Sequence, residues 1–500
     1  MVQVLDIILP ILTLVVAAIL TIPLSRYIRK SSHHNYLMLA WVVLVIGIAS
    51  IAVANLAASY YSVANPGPIN ITIDGSPSTS LTSSFLIDAI SIFMAVIIVA
   101  ISAVVLVYSV FFVNTSERPS NRYIAIMLIL TAAILGAVLS GDLLTFFIFW
   151  EAATAAAAFL MLYKKNAFSL NATLKFMVMV IIASAFVLMG LSIVYGITGS
   201  LNYIAVRDAL GAITSSQQNL LLIAFMFIAA GYAIEAAVVP FHFWLPDAYT
   251  AAPAPSAAFL SALVDQGSYY ILIRVLLFIV LPSATIDWTI MLAILAALTM
   301  IVGNIFALIQ NDIKRLIAYI CVADVGYNLV AIASWQTQLG IVGNLYFFLI
   351  GGLTTALAFM VIGTMNNSGI KTLDDFAGLG KRMPYAAIAL IIAGLSFAGV
   401  PPLGGFIGKY LVFTAAISSS LSWLAVIGIL TSVLQTAYIF RLLNVMYGRK
   451  AKDESKIKEN KRLLIPIFIL VAAIFILGLF PNIILQIIQP VINQLPYIIP

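Results

Sequence analysis

The chain has 500 residues, of which 63% are hydrophobic and only 8% are charged, and its mean hydropathy is +1.14. Because a soluble domain carries about 25% charged residues, this composition excludes a soluble globular protein and indicates a polytopic membrane protein. The single cysteine, Cys321, excludes an internal disulfide, and the three histidines show no spacing typical of a metal site. The net charge of +6 could suggest nucleic-acid binding, but the basic residues fall in connections between apolar segments.

A helix that crosses the hydrocarbon core of a bilayer needs about 20 apolar residues. The sequence accordingly predicts fourteen membrane spans, at 5–25, 37–58, 84–112, 121–140, 143–163, 167–197, 219–246, 254–281, 286–310, 314–334, 339–365, 383–416, 421–447 and 463–486. The segment 59–83, which is rich in Ser, Pro, Asn and Gly, is predicted to be an exterior loop. The expected fold class is all-α, in a multi-pass protein of the cell membrane.

The basic residues predict the orientation of the chain, because loops on the inner side of a membrane are enriched in Lys and Arg. Arg26, Arg29 and Lys30 follow span 1, which places the N-terminus outside. The intervening connections carry only Arg207. The alternate connections, predicted to lie inside, carry the other basic residues: Arg118 and Arg122, Lys164 and Lys165, Lys314 and Arg315, and Lys371, Lys381 and Arg382. An even number of spans then places the C-terminus outside as well. The stretch "GRKAKDESKIKENKR" is predicted to be a cytoplasmic hairpin or a contact for a peripheral partner.

Spans 4–8 and spans 9–13 begin on opposite sides of the predicted membrane, as inverted five-helix repeats do. Proline interrupts span 7 at "VVPFHF" (Pro240) and span 12 at "GVPPLGGF" (Pro401 and Pro402), which are corresponding positions. A broken helix in lipid is tolerated only where its freed backbone is buried in protein or lines a wet cavity. We therefore expect an ion path near the breaks. The predicted segments are an N-terminal three-helix part (1–112), two repeats (113–281 and 282–447), and a charged loop with the last span (448–500).

Five ionisable side chains are predicted to lie deep in the membrane, where such groups are costly and usually functional. At a rise of about 1.5 Å per residue, Glu151, Asp265 and Asp324 lie about 12 to 16 Å into spans 5, 8 and 10. Glu235 precedes the break in span 7, and Lys409 follows the break in span 12. One such charge could belong to a structural ion pair, but five favour proton transfer. Burial favours the neutral form of a carboxylate, and a nearby lysine favours its charged form.

Other polar residues near the spans have simpler interpretations. Lys175, nearer the inner end of span 6, could join the path or extend its ammonium group to the interface. His242, after the break in span 7, could transfer protons or hydrogen-bond the carbonyls that the break frees. The remaining charges at span ends are interpreted as snorkelling arginines (Arg274 and Arg441) and as helix caps or interfacial contacts (Asp88 and Asp142). No phosphate loop or catalytic triad pattern is present, so the chain itself is expected to be non-catalytic.

Three stretches of the sequence resemble the antiporter-like subunits of respiratory complex I and of Mrp-type cation/proton antiporters. They are "PFHFWLPDAYTAAPAPSAAFL", "NDIKRLIAYICVADVGY" and "LSFAGVPPLGGFIGKYLVF". The "APAP" run and "TLKFMVMVIIASAFVLMGLSIVYGITGS" look most like the N-type subunit of bacterial NADH:quinone oxidoreductase. The resemblance covers roughly residues 84–447. It implies fourteen core helices, inverted repeats, a hydrophilic axis across the membrane and no redox cofactor bound to this subunit.

The resemblance also assigns roles to individual residues. Glu151 matches the family's glutamate on the fifth span, and Lys409 matches its lysine on the twelfth. Lys175 matches the extra lysine on the sixth span of N-type subunits. These matches imply that the three side chains belong to a proton path through the subunit.

Three positions depart from the family pattern. The family usually has lysine where this chain has Glu235 and Asp265, and histidine where it has Asp324. Two carboxylates, Glu151 and Glu235, would then face each other where the family has an ion pair. Either the path conducts protons through carboxylates, or the first half has lost its charge switch and the subunit is a scaffold or only part of a pump. Carboxylate oxygens also suit Na⁺, which keeps cation antiport open.

The sequence thus predicts a membrane-arm subunit of a respiratory oxidoreductase complex. It would translocate protons, coupled to quinone reduction in partner subunits, with H⁺, or else Na⁺, as its ion. The alternatives are a subunit of a multi-subunit Na⁺/H⁺ antiporter or of a membrane-bound hydrogenase, and a structural anchor with an inert axis.

Overall fold

The structure is a computed structural model, and it describes residues 3–28, 33–62, 67–73, 83–113, 120–211, 215–275, 288–451 and 455–494. The predictions made for Arg29, Lys30, Arg118 and the end of span 8 (276–281) lie outside these residues. The first half contains α1 (Val4–Ile28), α2 (His34–Tyr61), β1 (Ile69–Ile73), β2 (Ser83–Ile87), α3 (Ala89–Val113), α4 (Ser120–Leu139), α5 (Leu143–Met161), α6 (Ala167–Thr198), α7 (Tyr203–Leu210), α8 (Ser215–Glu235), α9 (Trp244–Ala251), α10 (Ala254–Phe259) and α11 (Asp265–Val275).

The second half contains α12 (Thr289–Leu308), α13 (Ile313–Ala333), α14 (Gln338–Asn366), α15 (Leu379–Arg382), α16 (Pro384–Ala398), α17 (Gly404–Ser418), α18 (Ser422–Leu443), α19 (Lys461–Leu479) and α20 (Asn482–Asn493). Single turns of 3₁₀ or π helix connect or extend several of these helices. The only strands among the described residues are β1 and β2, an antiparallel hairpin in which Ile71 pairs with Phe85.

The prediction of an all-α polytopic membrane protein is confirmed. Among the described residues, 12 helices are long and apolar enough to cross a membrane. The two other predicted spans are divided into shorter pieces. Span 8 comprises α10, a π turn (Leu260–Val264) and α11, and span 12 comprises α16 and α17. The hairpin of β1 and β2 lies in and beside the predicted exterior loop.

The core of the bundle lies around α13 and α14, whose residues are buried along nearly the whole length of each helix. Peripheral helices such as α6 and α8 alternate between buried residues and large exposed apolar side chains, for example Val178 and Met226. Because lipid tails are as apolar as these side chains, such faces are stable only against lipid or a partner. The deep position of α13 matters for function, since it carries Asp324.

Both predicted helix breaks are present, and their backbones have the same design. In each break a residue with positive φ, Ala237 (53°) or Gly399 (73°), follows the first half-helix. The N–H of the next residue, Val238 or Val400, donates back to a carbonyl of the last helical turn, at 2.9 and 3.0 Å. This is the Schellman pattern that ends many helices. The chain resumes as α9 after Pro240 and as α17 after Pro401 and Pro402.

A second pair of matched features lies at the starts of α5 and α13. Asp142 caps α5 and forms an isolated β-bridge with Asn202, and Asp312 caps α13 and forms one with Thr372. Each aspartate accepts a hydrogen bond from the N–H three residues later, at 2.6 and 2.9 Å. The two bridged pairs also have the same separation in sequence. Such matched devices are expected of inverted repeats, and the repeat itself stays a prediction.

Candidate functional site

The first group of buried ionisable residues lies where α8 ends. Glu235 is the last residue of α8, is only 6% exposed, and accepts a hydrogen bond from the indole N–H of Trp150 on α5. The neighbouring Glu151 is half-buried and accepts a hydrogen bond of 2.6 Å from the Ser184 hydroxyl. The charges of the two glutamates interact, but each carboxylate has its own hydrogen-bond donor. The facing pair of carboxylates is therefore held by neutral donors.

The position of Trp150 depends on a close approach of α11. A Cβ atom added at Gly267 would lie 2.4 and 2.6 Å from two ring carbons of Trp150. Phe146 stacks on the same indole, with ring centroids 5.6 Å apart. The indole is thus confined between α11 and its own helix, and this packing aims its N–H at Glu235.

The second group lies around Asp265, which begins α11 directly after the π turn Leu260–Val264. Asp265 is 3% exposed, and the hydroxyl of Tyr249 on α9 lies close to its carboxyl group. The contact is too loose for a formed hydrogen bond, since Asp265 Oδ1 and the Tyr249 hydroxyl both lack a partner within the described residues. Cys321 on α13 also lies near Asp265. A π turn beside a buried, incompletely bonded carboxylate is typical of a functional position.

The third group joins Asp324 on α13 to Lys409 on α17 through a buried amide. Lys409 donates to the Gln435 side-chain oxygen and, at 3.0 Å, to the Ser432 hydroxyl. Its ammonium also lies 4.2 Å from the centre of the Tyr327 ring. The amide of Gln435 lies near Asp324, whose Oδ1 has no hydrogen-bond partner among the residues the structure describes. Gln435 therefore stands between a buried cation and a buried anion.

Cys321 and Tyr269 connect the second and third groups, because each interacts with both Asp265 and Asp324. The structure therefore brings Asp265, Asp324 and Lys409 into one buried polar cluster. Trp150, which donates to Glu235, packs against Gly267 on α11, the helix that begins at Asp265.

Two predicted members of the path lie apart from it. Lys175 is exposed on α6, and its ammonium forms an ion pair of 2.6 Å with Asp247 on α9. This exposure agrees with the alternative in which the Lys175 ammonium extends to the interface, and its part in the proton path stays a prediction. His242 is buried in the 3₁₀ turn after Pro240, where its ring packs on Phe243. Its Nδ1 has no partner among the described residues.

The interpretation of Arg274 as a snorkelling side chain was wrong. Arg274 is fully buried and forms a bidentate ion pair with Asp88, with one contact of 2.7 Å. Its Nε donates to the Tyr270 hydroxyl at 2.8 Å. Asp88 also accepts from the Ser91 N–H at 2.8 Å, so its predicted capping role is confirmed. This pair ties α3 to α11.

Comparisons with known proteins identify the family. Residues 140–435 match the family model described as "NADH:quinone oxidoreductase/Mrp antiporter, TM". The chain belongs to this family. It is 30% identical over 439 residues to NADH-quinone oxidoreductase subunit N of Trichlorobacter lovleyi, covering 87% of this chain and 90% of the relative. It is also 30% identical over 439 residues to F(420)H(2) dehydrogenase subunit N of Methanosarcina mazei, covering 85% and 88%.

A solved structure has the same fold. A chain of the membrane-bound sulfane sulfur reductase, an archaeal respiratory membrane complex, superposes with a TM-score of 0.87. The two chains are 25% identical, and the match covers 99% of each. The resemblance stated from the sequence motifs is thereby confirmed: the family model matches residues 140–435, and the shared fold covers 99% of the chain.

Sequence reasoning missed two buried residues of this family member. Lys314 was assigned to an inner loop, but it is 5% exposed in the first turn of α13 and donates to the carbonyls of Thr250 and Ala252. Its neighbour Arg315 is basic too, so the sequence offered no signal that one of the two points inward. Gln435 did offer a signal, because an amide within a predicted span must find a hydrogen-bond partner.

Proposed function

We propose that this chain is a proton-translocating membrane-arm subunit of a respiratory oxidoreductase complex, coupled to quinone reduction in partner subunits. Its family membership and its likeness to N subunits of NADH-quinone oxidoreductase and of F(420)H(2) dehydrogenase support this function. Those names also favour a redox complex over a Na⁺/H⁺ antiporter. We further propose that redox chemistry takes place in partner subunits and that this chain holds no redox cofactor.

The observation that carries the proposal is the cluster of buried side chains with unsatisfied oxygens. A buried, charged carboxylate with an oxygen that lacks a donor is costly, and protonation removes that charge. Asp265 and Asp324 both have such an oxygen within the described chain. These two aspartates would act as relays between Glu151 and Glu235, the first switch, and Lys409, the terminal site. This arrangement favours conduction through carboxylates over an inert scaffold.

Electrostatic coupling gives such a row its direction. Asp324 and Lys409 interact through a medium of low polarity, where the energy of a charge pair is much larger than in water. A proton that arrives at Asp324 removes the anion that faces Lys409, and this favours release of the lysine proton toward the exit. The charges of Glu151 and Glu235 interact as well. Their repulsion favours a state in which the pair holds one proton.

The orientation of the subunit is part of the proposal. The bias of Lys and Arg supports a cytoplasmic location for the end that carries Lys164, Lys314 and Lys371, which lie close together. Both termini would then lie outside. The matched breaks and caps support two inverted repeats at 113–281 and 282–447, preceded by residues 1–112 and followed by residues 448–500.

The role of Glu235 is testable in the intact complex. We expect Glu235→Gln, which keeps the shape and the contact with Trp150, to abolish proton translocation in reconstituted vesicles. The measurement is the number of protons translocated into the vesicles per electron transferred to quinone. Lys371→Gln, an exposed change at the basic end, is the matched control. Equal pumping by Glu235→Gln and the control would overturn the proposal, and a requirement for Na⁺ would favour cation antiport.

A further inference from the structure

The short helix α9 is held at its C-terminal end by a buried lysine from the second half of the chain. The Lys314 ammonium donates to the carbonyl of Thr250 at 3.1 Å and to that of Ala252. Thr250 lies in the last turn of α9 and Ala252 follows its end, where the carbonyls of a helix carry partial negative charge. Lys314 is buried on α13, so this contact is shielded from solvent. The charges of Lys164 and Asp312 interact with that of Lys314.

A second contact from the neighbouring residue holds the side of the same helix. Arg315 lies 3.2 Å from one oxygen of Asp247 on α9, and Lys175 on α6 lies 2.6 Å from the other oxygen. The Asp247 carboxylate is thus shared between two cations from different helices. These two pairs are partly exposed, so solvent screens them and each contributes little to stability.

The helix that is held in this way carries Tyr249. This residue lies between Asp247, which takes part in the ion pairs, and Thr250, whose carbonyl Lys314 binds. Its ring is buried and packs edge-on against Phe359, with centroids 5.7 Å apart. Its hydroxyl is the group that lies beside Asp265. A small shift of α9 would therefore move the hydroxyl away from the carboxylate.

We propose that Lys314 is a positioning residue, which fixes α9 so that the Tyr249 hydroxyl stays beside Asp265. The inference rests on the proposed function, because the hydroxyl matters only if Asp265 relays protons. It gives Lys314 a role in proton translocation, although its ammonium does not touch any residue of the buried row. Through the short helix α9, Lys314 also links the helix break after Glu235 to α13, the helix that carries Asp324.

The test uses the intact complex in vesicles. Lys314→Met keeps the length of the side chain without its donors, and we expect translocation to fall about 10- to 100-fold, as small misplacements of a reacting group do. Lys314→Arg keeps the charge and the donors, and should restore most of the rate. Tyr249→Phe should lower translocation by a similar factor. Lys371→Met, an exposed lysine at the same end, serves as the control for lost charge.

A double variant separates positioning from a purely structural role. If Lys314 acts through Tyr249, adding Lys314→Met to Tyr249→Phe should reduce translocation little further, because the two changes remove one contact. Independent, multiplicative losses would overturn the inference. Asp265→Asn distinguishes a failure of the proposed function from a failure of the positioning inference. If that variant pumps normally, the proposed function fails at this relay; if it is inactive while Lys314→Met pumps normally, only the positioning inference fails.

Discussion

The contact between Gly267 and Trp150 gives the sharpest prediction about the first switch. In Gly267→Ala, the new methyl group would lie 2.4 and 2.6 Å from two carbons of the indole. Carbon atoms that are not bonded pack best at about 3.5 Å or more, so the indole must retreat by about 1 Å. Overpacking of this kind costs about 1–3 kcal/mol of stability. The retreat would also break the hydrogen bond from Trp150 to Glu235.

The expected result is a loss of pumping that exceeds the loss of stability. A misplacement of about 1 Å near a reacting group lowers rates by about 10²-fold. The assay is proton translocation per electron in vesicles, together with the thermal unfolding temperature of the purified complex. The control is Trp150→Phe, which removes the indole N–H and the ring carbons that clash with the new methyl group.

A double variant distinguishes the effect of lost stability from the effect of the lost hydrogen bond to Glu235. Gly267→Ala combined with Trp150→Phe should regain stability, because the smaller ring leaves room for the methyl group. It should not regain pumping, because Glu235 still lacks its donor. If Gly267→Ala alone pumps at the wild-type rate, or if the double variant pumps normally, the reasoning about Trp150 and Glu235 is refuted.

Three further predictions concern single side chains. Gln435→Leu should slow translocation about 10-fold or more, since a hydrogen bond to a charged group contributes about 1.5–3 kcal/mol. Proton pumping in vesicles measures this effect, and an unchanged rate would mean that Lys409 does not need the amide. Arg274→Met should destabilise the subunit by about 3–5 kcal/mol, because it leaves the buried Asp88 without its cation. Thermal unfolding measures the loss of stability, and a loss below about 1 kcal/mol would contradict the burial of the pair. Lys175→Ala should cost less than about 1 kcal/mol, because the ion pair with Asp247 is exposed; a loss as large as that of Arg274→Met would place Lys175 in the interior after all.

The sequence predicted the deep charges well, because a charge within an apolar run is conspicuous. Glu235, Asp265, Asp324 and Lys409 are all buried, as their estimated depth in the spans indicated. The helix breaks were also predicted, because Pro240 removes a backbone donor in the middle of an apolar segment. Both signals are local, and a local signal needs no knowledge of which helices are neighbours.

The partners of those charges could not be predicted in the same way. Trp150 donates to Glu235 across 85 residues of sequence, and Arg274 pairs with Asp88 across 186 residues. Such contacts depend on how the helices pack. Arg274 stands near the end of a span, where snorkelling is the usual outcome, whereas the structure turns it inward to pair with Asp88, just before α3.

Lys314 was missed for a different reason. It lies at a predicted boundary between loop and helix, and such boundaries are uncertain by one or two residues. One residue of a helix rotates the side-chain direction by a large angle, so an outward and an inward lysine cannot be distinguished there. The carbonyls that bind Lys314 lie 64 and 62 residues earlier in the chain, and no local pattern shows that Lys314 packs against them.

The central claim is that buried carboxylates of this chain carry protons across the membrane. Asp324→Asn tests it most directly, because asparagine has nearly the same shape and cannot exchange a proton. The measurement is the number of protons translocated per electron by the intact complex in vesicles, with quinone reduction followed in parallel. Conduction through the buried row predicts a lower ratio while quinone reduction persists under uncoupled conditions. An unchanged ratio in Asp324→Asn would contradict the claim.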